Sequence, residues 1–177
     1  MKNLFLFILF IIISVTVKGQ NDSHPYFTGS INTTFGVNQN YKLDEEGNGP
    51  FITPKSILLR TGFGYQFNKR WASSINIGYD HHFSYSINSI PTYASLRYNF
   101  IKKSSSAYFI ESSYGKMFRL SNKFSNGNYH KIGVGILSLS SNRWNGMIRL
   151  DFHQKKIAQF ESRNLNSISL GIGFTFL

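Results

Sequence analysis

Histidines are among the residues of this 177-residue chain that could take part in catalysis, and one of them stands two positions before a serine. In a β-strand His82 and Ser84 lie on one face about 7 Å apart, which makes them a candidate catalytic pair. His81 and His82 point to opposite faces of such a strand, and spacing fixes no other histidine or acid beside them, so no metal site is predicted. The five histidines are His24, His81, His82, His130 and His153.

Residue types that are missing from the sequence exclude further chemistry. There is no cysteine, which removes disulfides, thiolate catalysis, cysteine-bound zinc and the lipid-bearing cysteine of a bacterial lipoprotein. No Walker loop, dinucleotide fingerprint or nucleic-acid motif occurs, and the glycines alternate along strands instead of forming a phosphate-binding loop. The sequence therefore assigns no catalytic, cofactor-binding or metal site, and it predicts no cofactor and no nucleic-acid partner.

Six charged residues fall on the polar faces of predicted strands. Pairing across the short turns places Arg60 diagonal to Asp80 on neighbouring strands. It also places Arg97 directly opposite Glu111, close enough for an ion pair. Because charges in a confined interior must be paired, the six residues predict a structural polar plug, with a gated ion path or a catalytic cluster as alternatives. They are Arg60, Asp80, Arg97, Glu111, Arg149 and Asp151. The turn pairs that set the register are Phe67 with Trp71 and Phe100 with Tyr108.

Strict alternation of apolar and polar residues defines the elements that position these charges. The final stretch, 165–177, places five apolar residues on one face and mostly serine, glycine and threonine on the other, which is the period of a β-strand. Seven earlier segments repeat the pattern. The apolar residues of the last strand are Ile168, Leu170, Ile172, Phe174 and Phe176. The predicted strands are 26–37, 55–67, 71–83, 92–100, 107–119, 132–136, 144–153 and 165–177.

The lengths of the connections alternate along the chain, with long loops after odd strands and short turns after even strands. Outer-membrane barrels have short periplasmic turns and longer external loops, and an even number of strands returns both ends to the periplasm. The sequence therefore predicts an all-β fold, an eight-stranded antiparallel up-and-down transmembrane β-barrel. The long loops are predicted at 38–54, 84–91, 120–129 and 154–164.

Two of the predicted strands depart from the regular pattern. In the fifth strand Lys116 falls on the apolar side, so this end is predicted to project beyond the hydrocarbon. In the sixth strand Leu137 and Leu139 break the alternation, so a β-bulge or an early turn is predicted there.

The N-terminal segment predicts export. A short positive region at Lys2 precedes an apolar run of fourteen residues, which is shorter than the about 20 residues of a membrane-spanning helix. Residues 1–19 are therefore predicted to be a cleaved signal peptide, and residues 20–177 the barrel domain. An uncleaved N-terminal anchor is the alternative.

The charge balance favours an anionic partner. The formal net charge is +11, and removing Lys2 and Lys18 of the predicted signal leaves +9. For an exported protein the first anionic partner is a lipid phosphate. Cations near the predicted outer ends could pair with lipopolysaccharide phosphates, and ordinary solvated loop charge is the alternative. These cations are Lys116, Lys123, Lys131, Lys155, Lys156 and Arg163.

From residue 26 to 177 the chain resembles the small eight-stranded outer-membrane barrels of the OmpA and OmpX type. Trp71 and Trp144 each follow a short turn, where they would join an aromatic girdle at the membrane interface. The resemblance implies a monomer in the bacterial outer membrane, in contact with its lipid and lipopolysaccharide. It also implies insertion by the barrel assembly machinery, which recognises an aromatic-ended C-terminal strand. Here Phe176 is penultimate and Leu177 is last, which departs from that pattern.

A second resemblance concerns the candidate catalytic pair. The lipid A deacylases, also eight-stranded barrels, use histidine, serine and glutamate, which points to His82 and Ser84. The groups of that family act at the lipid-facing surface, whereas the alternation turns His82 inward, and no glutamate lies on the neighbouring fourth strand.

An eight-stranded barrel is just wide enough for side chains to fill it. The predicted function is therefore that of an outer-membrane barrel with a side-chain-filled lumen and a structural or surface-interaction role. A deacylase-like enzyme and a narrow solute or ion channel are the alternatives. A secreted lipocalin-like barrel or a β-sandwich would need richly charged outer faces, whereas the polar faces here are mostly serine, asparagine, threonine and glycine.

Overall fold

Eight antiparallel strands form a closed barrel in which each strand pairs with its neighbours along the chain and the last returns to the first. The computed structural model describes residues 23–37, 52–83, 87–120, 126–139, 143–157 and 164–177. The strands are β1 (His24–Val37), β2 (Ile52–Gln66), β3 (Trp71–His82), β4 (Ile87–Lys102), β5 (Ser106–Arg119), β6 (Gly127–Ser138), β7 (Trp144–Lys156) and β8 (Asn164–Phe176). The predicted fold class and strand number are confirmed. The predicted signal peptide lies outside the described residues.

The last strand pairs with the first, which closes the barrel. Phe27 pairs with Phe176, and Ile31 pairs with Ile172. On β8, Ile168, Leu170 and Ile172 are exposed on the outside of the barrel. The inward positions between them are buried or half-buried. The predicted outer face of the terminal strand is therefore confirmed.

Four strands continue further toward the long loops than predicted. Residues 52–54, 87–91, 127–131 and 154–156 pair in the ladders of β2, β4, β6 and β7. In β4 a proline explains why the segment was predicted to be a loop. The pairing of β3 with β4 is interrupted opposite Pro91, because proline has no N–H to donate, and it resumes in the same register at Asp80 and Ser89.

A bulge or an early turn was predicted at Leu137 and Leu139, and the bulge is wrong: β6 is regular and ends at Ser138, so that only Leu139 lies beyond the strand. Strand β6 keeps one register with both neighbours as far as Ser138. Leu137 points inward and packs against Phe109 and Met147, so its apolar side chain satisfies the interior without any slip of the strand. The register shifts lie elsewhere, in β1 between Thr34 and Phe35 and in β4 around 99–101.

Strand β5 keeps its alternation through Lys116, the residue at which its sequence departs from the regular pattern. Lys116 is exposed on the outer face, and the next residue, Met117, is buried in the interior. Pairing with β4 continues to Arg119. Lys116 therefore marks the outward-facing end of a regular strand.

Aromatic residues line the outside of the barrel near the short turns. Trp71 and Trp144 are both exposed there. The Trp71 ring lies 4.6 Å from that of Tyr98, and the Trp144 ring lies 4.8 Å from that of Phe176. The predicted placement of both tryptophans on the outer face at the turn end is confirmed. No α-helix in the described part of the chain is long and apolar enough to cross a membrane.

Glycine at position 133 leaves room for a buried carboxylate. A Cβ atom at this position would overlap Asp151 Oδ1, which Arg149 holds in place. We expect Gly133→Ala to lower the free energy of unfolding by about 1–3 kcal/mol, because the crowded interior cannot yield. Urea unfolding in detergent or liposomes measures this. Gly146→Ala is the matched control, since nothing lies within 4 Å of its added Cβ; equal losses in both variants would contradict the prediction.

Candidate functional site

Side chains fill the lumen in layers. The turn end of the barrel carries the short connections 67–70 and 103–105, and the loop end lies opposite. An apolar cluster occupies the turn end: Ala107, Phe109, Leu137 and Met147. A second cluster lies toward the loop end: Tyr93, Met117, Tyr129 and Ile157. Charged and polar side chains fill the space between them, and the six charges predicted to face inward are all buried.

Glu111 is the centre of the first charged cluster. Arg97 donates to its Oε2 from Nε and Nη2, at 3.0 and 2.9 Å. Lys131 Nζ and Arg149 Nη2 donate to its Oε1, at 2.7 and 2.8 Å. Arg149 also pairs with Asp151 through Nε, at 2.7 Å. The predicted pair of Arg97 and Glu111 is confirmed, and this one carboxylate serves three cations.

The register behind that pair differs in one detail. Arg97 lies directly opposite Glu111, as predicted, but Tyr108 opposes Ile101 instead of Phe100. Phe100 is the extra residue of a bulge at the turn end, which leaves the register nearer the centre of the barrel unchanged.

Asp80 is the centre of the second charged cluster. Arg60 forms an ion pair with its Oδ1, which confirms the predicted diagonal contact. Lys155 reaches across the lumen from β7 and places Nζ 2.5 Å from Asp80 Oδ2. The same Nζ lies 2.6 Å from His82 Nε2. This cluster therefore ties β2 and β3 to the opposite wall.

The assignment of Lys131 and Lys155 to the outer surface is wrong. These two residues are 3% and 1% exposed and belong to the two charged clusters. Both occupy inward positions on strands that extend further toward the long loops than predicted. Lys116 and Lys156 are exposed, whereas Lys123 and Arg163 lie outside the described residues.

A serine, a histidine and a tyrosine form a chain of short contacts inside the barrel. Ser169 Oγ lies 2.7 Å from His153 Nε2, and His153 Nδ1 lies 2.7 Å from the Tyr129 hydroxyl. The first contact has the geometry of a nucleophile and its base. All three side chains are almost fully buried, so no lipid substrate reaches them and the contacts act as polar packing.

Only one member of the candidate catalytic pair lies in the described structure. His82 faces the lumen, as the alternation predicted, and is buried against Lys155. Ser84 lies outside the described residues. Within the described ranges, no three histidine, aspartate or glutamate side chains are grouped as metal ligands.

The outside of the barrel carries a polar patch at the loop end of β5 to β8. In the outermost row, Lys116 pairs with Asn128, which pairs with Lys156. Lys116 Nζ donates to Asn128 Oδ1 at 2.8 Å. Below it runs a second row, in which the centroids of the Tyr114 and His130 rings lie 4.6 Å apart. We call this patch the outer polar band: Lys116, Asn128, His130, Gln154, Lys156 and Asn166.

The opposite wall of the barrel is apolar at the same end. Phe35, Ile52 and Ile57 of β1 and β2 are exposed there. Polar residues also reach the outside of β3 and β4 at this end, where His81 Nδ1 lies 2.6 Å from Asn88 Oδ1. Sequence reasoning missed the outer polar band, because it becomes visible only when the registers place residues of four strands in common rows.

The closed barrel has the fold of small outer-membrane barrels of known structure. The crystal structure of Neisserial surface protein A matches with a TM-score of 0.64 and 10% sequence identity, over 88% of this chain and 99% of that chain. The N-terminal β-barrel domain of Pseudomonas aeruginosa OprF matches with a TM-score of 0.56 and 13% identity, over 86% and 96%. The outer membrane enzyme PagL matches with a TM-score of 0.52 and 13% identity, over 86% and 99%.

No protein-family model and no curated protein sequence matches the chain. The likeness to the solved barrels therefore concerns the fold, at 10–13% identity. The chain is a closed eight-stranded barrel of the outer-membrane type, as its resemblance to the OmpA and OmpX barrels implied.

Proposed function

We propose that this chain is a bacterial outer-membrane protein with a structural and surface-interaction role, and that its partner is the phosphate of lipopolysaccharide. The apolar exterior, which is bordered by aromatic residues at the turn end, suits a bilayer. The filled lumen suits a structural role better than a channel. The outer polar band is the observation that favours a lipid-phosphate partner.

The band has the composition and position that an anionic headgroup requires. Lys116 and Lys156 stand two strand spacings apart, about 10 Å, with Asn128 between them. Both lysines are exposed on the outside, so they can donate charge-assisted hydrogen bonds to phosphate oxygens. The apolar residues Ile132 and Phe152 lie below them on the same face, where they would contact the acyl chains of the same lipid.

Removing the two lysines tests this partner. Each basic side chain near an anionic lipid surface contributes about 1 kcal/mol, so Lys116→Gln with Lys156→Gln is expected to weaken binding of lipid A bisphosphate about 30-fold. Isothermal titration calorimetry of the purified barrel in neutral detergent measures the affinity. Lys102→Gln with Lys103→Gln removes the same charge at the turn end and is the control. Equal affinities in both double variants, or unchanged binding of dephosphorylated lipid A by the native chain, would contradict the proposal.

We further infer insertion through the C-terminal strand by the barrel assembly machinery, and a monomeric state. Closure of β8 onto β1 supports this, because a closed sheet leaves no strand edge for a second copy. The deacylase and channel alternatives gain no support, since the only serine–histidine contact found in the described residues is buried and side chains fill the lumen.

A further inference from the structure

The buried charges of the lumen do not balance. Among the described residues, five buried side chains are cationic and three are acidic. The cations are Arg60, Arg97, Lys131, Arg149 and Lys155, and the acids are Asp80, Glu111 and Asp151. Every cation has an acid within reach, but Glu111 is shared by three of them. With the lumen histidines neutral, two positive charges lack a counter-charge of their own, and uncompensated charge in a confined interior is costly.

A small cavity lies where this excess is concentrated. Its volume is about 10 Å³, which is room for one water-sized species. Four cationic side chains line it, from Arg60, Arg97, Lys131 and Arg149, against the single acid Glu111. A polyatomic anion such as sulfate is too large for this space.

The residues that line this cavity include a hydrogen-bond donor without an acceptor. Arg60 is buried, and its Nε–H has no acceptor in the described structure. Ser30 also lines the cavity and accepts a bond from the Asn32 amide, so its own hydroxyl hydrogen is available to donate. Ser74 lines the cavity as well, but it already has the Asn76 amide and Tyr26 as side-chain partners. A buried N–H of a charged group that is left without a partner is costly.

We propose that this cavity binds a single monoatomic anion, a halide such as chloride. One such ion accepts bonds from the unpartnered Arg60 Nε–H and the Ser30 hydroxyl, and its charge compensates one of the two excess cations. A water molecule would satisfy the donors but not the charge. The proposal concerns the interior and is independent of what the outer polar band binds.

Crystals of the purified barrel grown in sodium bromide test the site directly. An anomalous difference peak in the cavity, within about 3.5 Å of Arg60 Nε, is the expected result. An ordered lumen with no anomalous peak there would overturn the proposal, whether or not bromide occupies the protein surface.

Unfolding in urea gives an independent measurement in solution. At a halide concentration ten times its dissociation constant, the folding equilibrium constant is expected to rise about 10-fold over sodium gluconate of equal ionic strength, and then to saturate. A non-saturating trend, or none, would overturn the proposal.

Replacing Ser74 supplies a matched pair of variants. Ser74→Asp places a covalent carboxylate in the cavity, so halide dependence is expected to disappear while stability in gluconate rises above that of Ser74→Asn, which has the same shape without the charge. Halide dependence that persists in Ser74→Asp would place the ion elsewhere and overturn the proposal. If Ser74→Asp does not fold, the bromide map of the native chain decides alone.

Discussion

Glu111→Gln is expected to lower the free energy of unfolding by about 3–5 kcal/mol, since it leaves buried cations without their shared counter-charge. Three side chains lose their acid at once: Arg97, Lys131 and Arg149. Arg149 retains Asp151, so the unpaired charge falls mainly on the other two. Urea unfolding of the barrel, followed by tryptophan fluorescence in liposomes, measures the loss.

Two further variants separate the charge effect from a packing effect. Ser113→Ala removes a buried polar group from the same face of β5 and is expected to cost about 1 kcal/mol. Adding Lys131→Met to Glu111→Gln removes one of the cations that have lost their counter-charge, so the double variant is expected to be more stable than Glu111→Gln alone. A loss below about 1 kcal/mol for Glu111→Gln, or no recovery in the double variant, would mean that the cluster is solvated and does not hold the barrel together.

Ile172→Lys is expected to cost about 2–4 kcal/mol, because it places a charge at mid-height on the lipid-facing side. Ile172 is the middle one of the five outward residues of β8 and is 66% exposed on the barrel surface. A soluble protein would tolerate lysine at such an exposed position. The free energy of unfolding from liposomes is the relevant measurement.

Asn166→Lys is the matched control for this substitution. Asn166 lies on the same strand and the same outer face, within the outer polar band. There the same charge should cost at most about 1 kcal/mol, because it reaches the membrane interface. Similar costs at both positions would show that the outer face has no hydrophobic gradient and would argue against a bilayer environment.

Alternation and short turns were sufficient to predict the barrel and part of its interior. Once hairpin pairing is assumed, parity fixes which residues face inward, so Arg60 with Asp80 and Arg97 with Glu111 could be derived from counting alone. The closure of β8 onto β1 followed from the same periodicity.

Residues whose chemistry disagrees with their position escaped the prediction. Lys131 and Lys155 were predicted to be surface charges, because the ends of strands are poorly marked in a sequence. A buried lysine can be recognised only from the acid that it pairs with in the structure. Leu137 read as an irregularity, because the interior was expected to be polar throughout, whereas its turn end is apolar. The cavity beside Arg60 depends on side chains from seven strands and has no signature in any one of them.

A semi-native gel of fractionated cells tests most directly whether the chain is a closed barrel in the outer membrane. The protein should sediment with the outer-membrane fraction and migrate faster unboiled than boiled, because a closed barrel with a paired interior resists detergent until it is heated. Recovery in the soluble fraction, with the same mobility before and after boiling, would contradict the account.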